Sequence, residues 1–186
     1  GIVGGWRGVE EPGRGRGRVG VVPDGVDLTL FSGPRATPPE RAALFREWLC
    51  EAPRGWSPTR PRAGDVRYTP RQIAPLVDPE AVVVLYVGRF TAVKRTALLV
   101  RAHARARQEL GRPLPLLFAG GAPGEWEGEH PADAAARSPW GHEVFFAGWR
   151  SHAELARVLT CADLMAVPSV ACRLYTSPRP RDRTSP

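Results

Sequence analysis

The chain has 186 residues, of which 42% are hydrophobic, enough for one α/β domain and a small appendage. No apolar run approaches the roughly 18 residues of a membrane span, because Arg or Pro interrupts each stretch. The formal net charge of +7 suggests a nucleic-acid partner, but the charge is badly placed for one. Four Arg against Glu10 and Glu11 lie in residues 1–18, and four more against Asp182 lie in 172–186. The long middle of the chain is close to neutral, so no basic folded face is implied.

Gly and Pro, 20 of each, gather in particular stretches. Residues 1–18 show no periodicity and are expected to be irregular. The sequence starts at Gly1, without an initiator Met or a signal-peptide pattern, and is expected to be a segment of a longer protein. Cys50, Cys161 and Cys172 lack metal-type spacing and read as thiols of a reducing, cytoplasmic compartment.

A short strand is predicted at Val19–Pro23, closed by the turn Asp24-Gly25. Thr37-Pro38-Pro39-Glu40 has the form of a helix start, and Leu44, Phe45, Trp48 and Leu49 supply an apolar face. Residues 52–79 hold six prolines and read as an insertion that contributes little to the core, with one turn near Gln72-Ile73. From Ala81 the pattern becomes regular. Ala81–Val87, Leu114–Ala119, His142–Ala147 and Asp163–Val167 are apolar runs typical of strands buried on both faces. A helix is predicted over Lys94–Leu110, stopped by Gly111, and another after Ser151, where Glu154 completes an S-x-x-E capping box. Such alternation predicts an α/β fold: a doubly wound, Rossmann-like parallel sheet with ligands at the carboxyl ends of its strands.

Those ends direct attention to Gly88-Arg89, Gly120-Gly121, Trp149-Arg150 and Pro168-Ser169. Gly88 allows close approach to the backbone, Arg89 offers a fork of donors, and Lys94 adds a point charge where a helix begins. Together they suit a diphosphate, although solvated loop cations are the plainer reading. No G-x-G-x-x-G or Walker-type loop follows a strand, which weakens the case for dinucleotide oxidoreductases and triphosphatases. Glu125, Glu127 and Glu129 read as a solvated edge, and the four His as structural.

In order along the chain, Val22-Pro23-Asp24-Gly25-Val26-Asp27 with Phe31, Val87-Gly88-Arg89-Phe90 with Lys94, Leu117–Gly121, Val144–Gly148, Glu154-Leu155, Ala162-Asp163 and Val167-Pro168-Ser169 form a series. That series resembles the donor-binding C-terminal domain of GT-B glycosyltransferases of the family 4, or group 1, type. It departs at Asp24, where Asn is usual, and in the Pro-rich stretch 52–79. The resemblance implies a retaining transfer from a nucleotide-sugar donor, with no cofactor and no catalytic metal. It implies that Gly88, Arg89 and Lys94 meet the donor diphosphate. Gly120, Gly121, Trp149, Arg150, Pro168 and Ser169 would lie by the nucleotide or sugar. The acceptor, a sugar, lipid or small molecule, would be bound by an N-terminal domain, with peripheral membrane contact in the complete enzyme.

The family's acidic E-x-F-G…E motif, expected shortly after Pro-Ser, is not found after Ser169. From Cys172 the sequence instead resembles CLLYTSPSPRD, the translated read-through of a sequencing-library adaptor, and 172–186 are expected to be non-native. Residues 19–171 would then be an incomplete donor-binding domain, inactive alone. The alternatives are a nucleotide-sugar-binding module or another doubly wound enzyme, and, less favoured, a nucleic-acid-binding protein.

Overall fold

The apolar runs beginning near Ala81, Leu114, His142 and Asp163 form four strands, as their composition predicts. In the computed structural model, which describes residues 27–170, these are β1 (Val84–Val87), β2 (Leu116–Ala119), β3 (Val144–Gly148) and β4 (Leu164–Met165). The expected strand at Val19–Pro23, the irregular stretch 1–18 and the tail 172–186 lie outside the described residues. The chain divides into two units, Gly1–Ser32 and Gly33–Pro186. In the first, Asp27 caps a one-turn helix α1 (Leu28–Phe31), its carboxylate accepting the Thr29 N–H.

In the second unit the strands make one parallel sheet in the order β3-β2-β1-β4. Side chains alternate across it. Leu85, Leu117 and Phe145 enter one core layer, while Tyr86, Phe118 and Phe146 enter the other. Both faces are covered over β1, β2 and β3, which is why these strands read as continuous apolar runs rather than as alternating ones. Strand β4, expected to be buried on both faces, is instead an edge strand among the described residues, with Leu164 and Met165 exposed.

The first layer is closed by α2 (Pro38–Arg46), the π-helical turn Glu47–Glu51, α3 (Ala74–Val77) and α6 (His152–Cys161). The helix starts use the predicted chemistry. Glu40 accepts from the backbone N–H and the hydroxyl of Thr37, at 2.8 and 2.7 Å. Glu154 and Ser151 exchange side-chain-to-backbone bonds of 2.8 and 3.3 Å. The other layer is closed by α4 (Thr96–Leu110) and α5 (Pro131–Ala136). Gly111 ends α4 in the left-handed region, φ +69°. Helix α5 is an addition to the sequence reading: Pro131 opens it and Asp133 sits in its first turn.

The Pro-rich stretch 52–79 corrects an expectation. It is largely irregular, with α3 its one helix among the described residues, but it is part of the core. Trp56, Ile73 and Leu76 are each at most 2% exposed. It also seals the free margin of β3: the Tyr68 hydroxyl accepts the Phe146 N–H at 3.0 Å, and Gly55 lies against the Phe146 carbonyl. An unpaired sheet edge is thereby given partners and hidden.

Buried polar groups are mostly satisfied. Glu143 receives both carboxylate bonds from Arg107 Nε and a third from the Leu114 N–H. Asp163, at the amino end of β4, accepts the Val83 N–H at 2.8 Å and pairs with Arg35 and Arg41. The Ala162-Asp163 element therefore works at the end of the sheet opposite the candidate site.

Candidate functional site

A parallel sheet leaves its free backbone groups and the N-termini of its helices at the carboxyl ends of the strands. In the order β3-β2-β1-β4 the connections run one way from β1 through β2 to β3, then return to the far side of β1. The crevice between β1 and β4 is therefore the switch point, where the loops after two neighbouring strands diverge.

The loop after β1 is built to present Arg89. The Tyr86 hydroxyl donates to the Arg89 carbonyl at 2.7 Å, and Phe90 is 2% exposed, so the backbone on both sides is pinned. The Arg89 side chain is exposed, and among the described residues it makes no ion pair. Beyond Phe90 a 3-10 turn, Ala92–Lys94, leads to Arg95 at φ +51° and into α4. Lys94 is half-buried, and it too has no carboxylate partner among the described residues. The segment after β4 lies beside this turn, since the Val170 N–H donates to the Val93 carbonyl at 3.1 Å. Pro168 and Ser169, both half-buried, thus reach the same side of the crevice as Lys94.

Glycines form the floor across the strand ends. The Gly88 N–H donates to Ala119 at 3.1 Å and the Gly120 N–H to Gly148 at 2.8 Å. Gly120 has φ +123°, and a Cβ there would stand 2.5 Å from the Gly88 oxygen. Gly121, φ +71°, is as tightly placed: a Cβ would stand 2.7 Å from the Phe90 ring. These positions need glycine because both the backbone angle and the space exclude a side chain.

Not every predicted residue serves the site in the same way. Trp149 is 60% exposed at the end of β3 and available to a ligand. Arg150 turns inward, contrary to a role for its side chain in ligand binding. Its guanidinium donates to the Ala147 and Trp48 carbonyls, both at 3.1 Å, pairs with Glu154, and lies 4.2 Å over the Trp48 ring. Backbone carbonyls near the ends of two elements take up its donors. The Glu residues of the 125–129 loop are edge groups, as expected. Glu127 accepts the Ala92 N–H, and Glu129 bridges Arg101 and Arg137. His103 bonds the Leu114 carbonyl, and His130 caps α5 through the Ala132 N–H. A cavity of about 260 Å³ lies by α4 and α5, lined in part by Val100, Arg101, Glu129 and Arg137 and by none of the candidate residues. Arg89, Lys94 and the backbone of Gly88, Gly120 and Gly121 thus all lie in the loops that follow the carboxyl ends of β1 and β2.

The fold is that of a doubly wound, Rossmann-like half-domain, with Arg89 and Lys94 on the loop beside the switch point. Residues 81–177 match the family model described as "Glycosyl transferases group 1", and the chain belongs to that family. It is also similar to a D-inositol 3-phosphate glycosyltransferase of Nocardia farcinica (strain IFM 10152), with 33% identity over 166 residues, 87% of this chain. The chain spans 29% of the length of that relative. Among the described residues, no helix is long and apolar enough to cross a membrane.

Proposed function

We propose that this chain supplies the donor-binding part of a glycosyltransferase that takes its sugar from a nucleotide sugar with retention of configuration. The observation that carries the reading is the pair Arg89 and Lys94, without carboxylate partners among the described residues, on the loop beside the β1/β4 switch point. Transfer releases a nucleoside diphosphate, and cations fixed beforehand stabilise the charge that grows on it. Gly88, Gly120 and Gly121 let the diphosphate approach the backbone. Trp149 would lie by the base, and Pro168 and Ser169 by the sugar. The side chain of Arg150 takes no part. Retention, the absence of a cofactor and a cytoplasmic setting rest on the family resemblance and the thiol count.

The acceptor would be bound by a partner domain in the complete protein, so the chain alone is expected to be inactive. The name of the relative makes phosphorylated cyclitols the first acceptors to screen. The test is kinetic. In the complete enzyme, Arg89→Ala and Lys94→Ala are expected to lower kcat/KM by roughly 100-fold, with thermal stability nearly unchanged. Loss within about twofold would return both residues to solvated loop cations.

A further inference from the structure

The Pro-rich stretch holds a residue whose placement exceeds what core filling requires. Trp56 is 1% exposed, and its Nε1–H donates to the Gly121 carbonyl at 2.9 Å. Its ring centroid is 5.8 Å from that of Phe90, and the Phe90 ring in turn occupies the space beside Gly121 that a Cβ would need. Indole, Phe90 and Gly121 thus close a three-way contact. One member adjoins Arg89, and another belongs to the turn after β2. From the other side, the Glu127 N–H donates to the Phe90 carbonyl at 3.0 Å, and the Glu127 carboxylate accepts the Ala92 N–H at 3.2 Å. The loop that carries Arg89 is therefore gripped from two directions by segments distant in sequence.

From this geometry we infer that Trp56 is a positioning residue for the donor diphosphate, with Glu127 as its counterpart across the loop. A cation stabilises a developing charge only if it already stands at the right distance, and a displacement of about 1 Å can cost on the order of 100-fold in rate. Trp56 sets that distance by tying the backbone of the β2 turn to the ring next to Arg89. A phenylalanine at 56 would keep much of the packing and lose the tie to Gly121.

The inference rests on the donor-site reading, and a double-mutant cycle in the complete enzyme separates the two. Trp56→Phe is expected to lower kcat/KM for the donor about tenfold when Arg89 is present. In an Arg89→Ala background, where there is no cation left to position, it should cost less than about threefold. A purely structural role predicts the same loss in both backgrounds, and equal losses would overturn the inference. If Trp56→Phe fails to fold, Glu127→Ala serves instead, because that side chain is exposed. It should lower kcat/KM about fivefold, with the same dependence on Arg89. Impaired Arg89→Ala beside wild-type kinetics in both Trp56→Phe and Glu127→Ala would remove the positioning role and leave the donor site standing. Wild-type kinetics in Arg89→Ala would remove both.

Discussion

Replacing Gly120 by alanine would put a methyl group 2.5 Å from the Gly88 oxygen and 3.1 Å from its carbonyl carbon, at φ +123°. Two costs add. The backbone region is unfavourable for an L-residue by about 1–3 kcal/mol, and forcing a methyl against immobile backbone adds about 1–3 kcal/mol more. Gly111→Ala carries a conformational cost without a clash, because φ is +69° there and nothing lies within 4 Å of the new Cβ. That variant should cost only about 1 kcal/mol. Urea unfolding followed by circular dichroism separates them. With a slope of about 2 kcal/mol/M, Gly120→Ala should lower the midpoint by roughly 1–3 M and Gly111→Ala by about 0.5 M. Relief of the contact must push Gly88 outward, so residual folded Gly120→Ala should also bind nucleoside diphosphate more weakly. Equal midpoints for the two variants would refute the close approach of the strand ends on which the site geometry rests.

Arg150→Lys should destabilise the protein by about 2–4 kcal/mol in the same assay, because an ammonium cannot serve the Ala147 and Trp48 carbonyls and Glu154 together. Tyr68→Phe removes the acceptor of the Phe146 N–H and should cost about 1–2 kcal/mol, read as a lower unfolding midpoint. Burial among aromatic rings lowers the pKa of His130 to about 4 from an ordinary 6.5, against a weaker opposing pull from Asp133. Its neutral form is thus favoured in the folded state, so stability is full above pH 6.5 and falls by about 3 kcal/mol on acidification to pH 4. His130→Asn keeps a cap for α5 and should flatten that part of the pH profile. Burial raises the pKa of Glu154, but bonds from Ser151 and Arg150 and the charge of Arg54 outweigh it and hold the group at about 2, so its own loss begins only below about pH 4.5.

Local signals carried well from sequence to structure. The runs of β1, β2 and β3 are apolar because both sheet faces are covered there, and the Thr37-Glu40 and Ser151-Glu154 caps act within one helical turn. What sequence could not show is long-range. Trp56 meets Gly121 from 65 residues away, and Tyr68 meets Phe146 from 78, so the Pro-rich stretch shows no period that marks its core residues. Arg150 looked like a site residue because it follows Gly148-Trp149. Its fate is set by the Trp48 carbonyl, 102 residues earlier in the chain. Helix α5 is short enough to carry no period, although Pro131 with Asp133 was a usable start signal. Strand β4 is shorter than its apolar run because only Leu164 and Met165 pair with β1.

That brevity has a dynamic consequence. Strand β1 is held to β2 through four residue pairs but to β4 through two, and Leu164 and Met165 are 56% and 53% exposed. The two banks of the crevice thus differ in compliance. Local opening should release the amides of Leu164 and Ala166 to solvent exchange well before those of β1 and β2. A diphosphate bound across the crevice would couple the banks. Slower deuterium uptake at Leu164 and Ala166, with β2 unchanged, would then report occupancy of the site without any transfer reaction.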